Sequence, residues 1–355
     1  MKRFTFLFYF MIILLITTSC AVRKTEDYVY QDDSSSLDYT FQAFDTTCSI
    51  EIFGVHDLKK ADDYEYSMER LIHAYEDVFS KTKLESEVYE INHRTENYVM
   101  VHEECARLFN LAKDFYTWSS GKFDISAGTL FNLWDVKNRK SLPSDDEIKE
   151  AMSHASNFDY VVEKVDSDES EKNYKITFNG DKLTQYDFGG LIKGYCCDEL
   201  KRMLNENSDI SACIVNLGGN VLVTGSLNNR KNGEFKVGIQ KPFTTNETID
   251  VVGARDKNVI TSGNYQRYFK IDGDDRIYHH IIDPTSGYPT NNNLDSVTIV
   301  SDNGLLGDYL STSCMLLGEE DSKPLIDFLI KTFGDKDLQA IFVRSDGTVS
   351  KYPIK

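Results

Sequence analysis

The stretch from Thr261 to Thr312 sets the tightest limits on how this chain can fold. It holds TSGNYQRYF at 261–269, HHIIDPTSGYP at 279–289 and GDYLST at 307–312. In the middle motif, an apolar run carrying His279 and His280 meets Asp283-Pro284, then a Thr-Ser-Gly turn and Pro289. Proline holds the residue before it in extended backbone and glycine takes the turn, so the strand must end at a fixed point. Polar side chains are thereby presented at a strand end, where function tends to sit. His280 faces one side of that strand, and His279, facing the other, reads as structural. In GDYLST, Asp308 and Thr312 stand four apart and share one helix face. Leu306, Leu310, Ser313 and Leu317 fall roughly opposite, which predicts an amphipathic helix with a carboxylate and a hydroxyl on its open side.

Upstream, Lys2 and Arg3 precede an apolar run from Phe4 to Ile16, and Thr17-Thr18-Ser19 precede Cys20. The run is too short to span a bilayer and ends in small residues, so residues 1–19 read as a signal peptide. A cysteine at that point suggests a bacterial lipobox with cleavage before Cys20 and acylation of its thiol and amine, although Thr17 stands where leucine is usual. An ordinary signal peptide that happens to contain a cysteine is the alternative. Residues 20–37 are polar and aperiodic and read as a tether, leaving 38–355 as the folded body. On this reading the mature protein is exported, anchored to the membrane through Cys20, and faces the periplasm or the cell exterior.

Losing Lys2 and Arg3, and no acid, makes the formal charge of −18 two units more negative. Net charge of this sign draws the chain neither to nucleic acid nor to an anionic lipid surface. An acidic body that holds a phosphate-rich ligand needs local positive charge, and a divalent cation is an economical source. Cys48, Cys105, Cys196, Cys197, Cys213 and Cys314 sit among apolar residues with no C-x-x-C pair, so they read as small core residues rather than metal or redox groups.

Alternation predicts strands in DYTFQAFDTTCSIEIFG, SACIVNLGGNVLVTG, FKVGIQKP, TIDVVGA, NVITSG, LQAIFV and TVSKYPI. Helical spacing marks residues 62–79, 105–118, the stretch after Gly190, and SKPLIDFLIKTF. Residues 158–186 read as strands around the acidic run DSDESEKN, a solvated turn. The expected class is α+β, with mixed or antiparallel sheets flanked by helices, and no linker divides the body.

Taken together, these motifs resemble the ApbE family of FAD:protein FMN transferases in its lipoprotein form. Its TSG-x-Y, H-x-IDP-x-TG-x-P and AD-x-x-x-T motifs are matched in order by TSGNY, HHIIDPTSGYP and GDYLST. YDFGGLIKGYCCDEL is similar to its D-[FL]-G-G-x-A-K-G-Y-A-x-D, and VNLGG to its VN-x-GG. The resemblance implies a single large domain with two intimate lobes. It implies flavin-nucleotide contacts at Phe44, Ser80, Thr82, Lys122, Phe123, Asp124, Asp187, Lys193 and Ile282. Phe44 and Asp45 replace Met-Gly, and Thr82 takes the place of a flavin-stacking tyrosine. Ser80 and Ser86 also read as cap or turn residues.

The resemblance further implies a magnesium site from Asp308, Thr312 and the Gly190 carbonyl, with Ser311 where some members carry a second carboxylate. These are hard oxygen donors suited to Mg²⁺ on a diphosphate. Gly189 and Gly190 open a helix start to a phosphate or a metal, and Lys193 adds a point charge. His280, with Asp308, is expected to be catalytic. The implied reaction passes FMN from FAD to a threonine or serine of a redox protein at the membrane and releases AMP. Two alternatives stay open: a metal-dependent FAD pyrophosphatase, and a flavin-binding lipoprotein without turnover. A Ser262–His280–Asp283 hydrolase fits less well, because no G-x-S-x-G elbow is present.

Overall fold

The computed structural model describes residues 36–354 apart from 56, 166–171, 207–209 and 228–230. Cys20, the leader, most of the tether and most of the acidic run at 166–173 therefore lie outside the described residues. The first strand, Ser36–Ala43, begins inside the stretch expected to be tether. It turns at Phe44-Asp45 into Thr46–Phe53, and both turn residues have positive φ, 51° and 58°. Such a two-residue turn matches the twist of its flanking strands, and aspartate tolerates that backbone better than phenylalanine does.

Eight antiparallel strands form the central sheet. They lie in the order Ser36–Ala43, Thr46–Phe53, Ala212–Leu217, Asn220–Gly225, Lys257–Gly263, Leu294–Ser301, Gln339–Arg344, Val349–Tyr352. Strand alternation splits the side chains between two cores. Ile50, Ile52, Cys213, Val215, Val297, Ile299 and Phe342 pack on the helical side. Phe53, Ala212, Val223, Val259, Val300 and Ile341 pack against the hairpin of Phe235–Gln240 and Thr248–Ala254. Leu294–Ser301 is buried at every position, as befits a strand covered on both faces.

A second lobe carries its own core of Leu130, Trp134, Ile148, Phe269, Tyr278 and Ile282. It joins the helices Gly128–Trp134 and Asp145–Ser153 to the short hairpins Tyr268–Lys270 with Ile277–His279, and Ile282–Asp283 with Tyr288–Pro289. The Trp134 indole stacks on Tyr278 at 6.0 Å and donates to the Gly287 carbonyl at 2.8 Å, which ties the DPTSGYP turn to this lobe. Neither helix is marked by the periodicity of the sequence. A three-stranded sheet of Tyr98–Val101, Tyr174–Phe178 and Tyr160–Lys164 completes the body.

All six cysteines described are free and buried, as their apolar neighbours suggest. The helix Gly304–Leu317 departs from expectation. It is buried almost all round instead of along one stripe, because the sheet lies on one side and the helix Ile192–Asn205 on another.

Those two helices cross backbone to backbone. A Cβ at Gly194 would overlap the Gly304 carbonyl and stand 2.6 Å from Asp308 Cβ. Gly194→Ala is therefore expected to lower stability by about 3 kcal/mol, the upper end of overpacking costs, read as a lower urea midpoint with unchanged m. A wild-type midpoint would show that the crossing tolerates a methyl group.

Candidate functional site

The helix Ile192–Asn205 begins at Leu191 without a side-chain cap, and N–H groups of its first turn find partners elsewhere, that of Ile192 at the Phe188 carbonyl at 3.1 Å. One of them, Gly194 N–H, donates to Asp308 Oδ2 at 2.9 Å. In return, Asp198 accepts from the N–H groups of Gly304 and Leu305 at 2.6 and 2.9 Å, at the start of the helix that carries Asp308. Each helix thus anchors the other's N-terminal turn. Asp308 is 2 % exposed, and its second oxygen has no hydrogen-bond partner among the described residues.

One helical turn on from Asp308, at Ser311 and Thr312, the structure gathers neutral oxygen atoms. Ser262, at the end of the strand Lys257–Gly263, has its hydroxyl 2.8 Å from Ser311 Oγ and 3.2 Å from Thr312 Oγ1. Ser311 also donates to the Asp308 carbonyl at 3.0 Å, so its hydroxyl is largely spent. Gly190 lies against the same point, where a Cβ would stand 3.3 Å from Thr312 Oγ1 and 3.0 Å from the Phe123 ring. Glycine keeps that space open. Among the described residues no cluster of three histidine, cysteine, aspartate or glutamate side chains could hold a metal. The group here is one carboxylate with hydroxyls beside the Gly190 backbone, a set that suits a hard divalent cation completed by water and phosphate oxygens. Sequence reasoning placed Ser262 only in the weaker hydrolase reading. Its TSG motif was the available signal.

Cations stand beside this group. Lys81 meets Asp187 Oδ2 at 2.7 Å, and Gly189 N–H donates to Asp187 Oδ1 at 2.8 Å. Burial opposes the charge on Asp187, but Lys81, Gly189 and Arg267 outweigh it and hold its carboxyl below the usual range. Lys193 has no ion-pair partner among the described residues.

His280 follows the strand Ile277–His279, and its backbone N–H donates to the Arg267 carbonyl at 3.2 Å. Its Nδ1 lies 3.3 Å from the same carbonyl. The ring keeps an open edge, yet desolvation by the surrounding walls, then the charge of Arg267, pushes it down to about 3. The imidazole is neutral at ordinary pH, with Nδ1–H toward Arg267 and the Nε2 lone pair free. His279 is buried with Nε2 2.9 Å from the Thr290 carbonyl, in keeping with a structural role.

Several residues expected at the flavin are tied into the fold. Asp124 accepts from the backbone and hydroxyl of Ser126 through one oxygen and from those of Ser156 through the other. Lys122 donates to Asp283 at 2.6 Å and Thr285 at 2.7 Å. Ile282 packs in the second lobe, and the Phe44 N–H donates to Glu76 at 2.7 Å. Ser80 closes the helix Leu58–Phe79, its hydroxyl accepting from Lys83 N–H at 3.1 Å, while Ser86 caps the helix Glu87–Asn92. Thr82 is exposed on the loop between them. Phe123 stands edge-on to Tyr309 at 5.1 Å and forms a wall beside Gly190. A hollow of about 440 Å³ beside Tyr89, His93 and Arg94 includes none of these residues.

The ApbE family model matches residues 44–333. The FAD:protein FMN transferase of Klebsiella pneumoniae (strain 342) is 32% identical over 254 residues, covering 71% of this chain and 74% of its own length. That of Treponema pallidum (strain Nichols) is 31% identical over 236 residues, 64% of each chain. The crystal structure of the ApbE protein from Thermotoga maritima has a TM-score of 0.72 and 26% identity over 90% of this chain and 97% of its own. The flavinyl transferase ApbE of Pseudomonas stutzeri, 22% identical, shares the fold at a TM-score of 0.70 over 90% of this chain and 95% of its own. With its motifs in order, its fold shared and a family match over most of its length, the chain belongs to the ApbE family.

Proposed function

We propose that this chain is an FAD:protein FMN transferase that moves FMN from FAD to a threonine or serine hydroxyl of a partner protein and releases AMP. The observation that carries the reading is the convergence of Asp308, Thr312, Ser262 and Gly190 at an uncapped helix start. The transferase relatives lend it the chemistry. Asp308, Thr312 and the Gly190 carbonyl would hold Mg²⁺, with Ser311 and Ser262 fixing the hydroxyls. When bound, the ion supplies positive charge to the phosphate oxygens of the substrate.

The remaining work falls to the chain's own groups. The Lys193 ammonium at the helix start attracts the diphosphate. The acceptor oxygen forms a bond to the FMN phosphorus as the bond from phosphorus to the bridging oxygen breaks. The electron pair stays on AMP, and the hydroxyl proton passes to Nε2 of His280. The reading includes an exported lipoprotein, supported by Lys2, Arg3, the apolar run from Phe4 to Ile16 and Cys20, and hence a flavin-accepting redox protein at the same membrane.

Incubating the chain with FAD, Mg²⁺ and a candidate acceptor should add the mass of FMN to that acceptor. Free FMN with AMP would point to a pyrophosphatase instead, and unchanged FAD to a binder. Asp308→Asn keeps an acceptor for Gly194 N–H but removes the charge, so transfer should fall by about 10²–10³-fold with the fold retained. Full activity would overturn the metal assignment.

The low position of His280 gives a second test. A folded value depressed below the ordinary histidine value keeps the base neutral well into the acid range, and the stability it contributes is lost only as pH falls from about 6.5 toward about 3. The acid limb of kcat/KM, which reports the free enzyme, should therefore lie well below the ordinary histidine value. A limb at that ordinary value would remove His280 from the role of base.

A further inference from the structure

In a chain with 39 lysines and arginines against 57 aspartates and glutamates, a cation without an acid beside it is informative. Lys81, Lys122, Lys257 and Arg344 each meet a carboxylate. Arg267 does not. Among the described residues, its guanidinium makes one long bond, to the Asp45 carbonyl at 3.4 Å, and no ion pair. Asp187 lies near enough to feel its charge, but Asp187 is already paired with Lys81 and with Gly189 N–H. Neutralising that carboxylate does not require Arg267.

The backbone fixes where this charge stands. The Arg267 carbonyl accepts from the His280 N–H at 3.2 Å, so the residue is latched to the segment that carries the proposed base. Its neighbour Gln266 reaches toward Gly219, where a Cβ would stand 3.7 Å from Gln266 Nε2, at the turn after the strand Ala212–Leu217. The same run of chain holds Ser262 against Thr312. Arg267 thus stands exposed yet near enough to Asp187 and His280 for its charge to act on both, with most of its five N–H donors unspent.

We infer that Arg267 binds the diphosphate of the flavin dinucleotide, its planar fork engaging phosphate oxygens while Lys193 supplies a second charge from the helix start. Arginine suits this work because two parallel N–H groups match two phosphate oxygens and the charge cannot be lost. The inference rests on the transferase reading of the site and adds to it a residue that discriminates the dinucleotide from unphosphorylated flavin.

The test compares equilibrium binding of FAD and riboflavin, with Mg²⁺ present, to the wild-type chain and to Arg267→Met and Arg267→Lys. Arg267→Met should weaken FAD binding by at least about tenfold, the loss of charge-assisted hydrogen bonds, and leave riboflavin binding unchanged. Arg267→Lys should recover part of the loss. Riboflavin affinity and an unchanged unfolding midpoint report that the variants are folded. If Arg267→Met keeps the wild-type ratio of FAD to riboflavin affinity, or loses both ligands equally, Arg267 is a structural residue and the inference fails. A wild-type chain that does not prefer FAD over riboflavin overturns the transferase reading itself, which separates the two failures.

Discussion

Everything at the site hangs on the close crossing of Gly194 and Gly304. Neither residue has a Cβ, and the two backbones meet where any side chain would force them apart. Two carboxylates lock the crossing from opposite sides, Asp308 on Gly194 N–H and Asp198 on the N–H groups of Gly304 and Leu305. Asp308 therefore has one oxygen committed to architecture and one left for chemistry. Its position follows from the helix pair, and the helix that carries it is seated on a strand buried at every residue. A site built this way is held by packing and not by loops, which is what a metal-sized group of oxygens needs if its spacing is to stay constant.

Much of this was legible in the sequence because it was written in local patterns. Alternation marked the strands, glycine pairs marked the turns and the open helix start, and the spacing of Asp308 and Thr312 placed both on one helical face. What escaped depends on partners distant in sequence. Asp124 bonds its near neighbour Ser126 through one oxygen, but nothing local shows that Ser156 takes the other. Nothing local in the sequence announces that Lys122 pairs with Asp283, far along the chain. The all-round burial of Gly304–Leu317 was hidden for the same reason: Asp308 and Thr312 read as an open side, while the structure buries Asp308 and gives one of its oxygens the Gly194 N–H. Arg267 and Lys81 carried no signal of their own, since a lone cation in a charged sequence gives no hint of whether an acid will meet it.

The departures from the family pattern fall on loops and, at Gly307 and Ser311, on the helix Gly304–Leu317. Phe44 and Asp45 form a hairpin turn with positive φ at both positions, and Thr82 is exposed on the loop between Ser80 and Ser86. Asp308, Thr312, Gly190 and Lys193 match the pattern, and they stand on or at the start of the two crossed helices. Loops change their side chains at little cost, whereas a change at the crossing meets backbone. The turn geometry around Thr82 is itself held, because Ser80 accepts N–H groups and Ser86 caps the following helix whatever residue lies between them. On the crossed helices a departure must fit the backbone contact, as Ser311 does by donating to the Asp308 carbonyl.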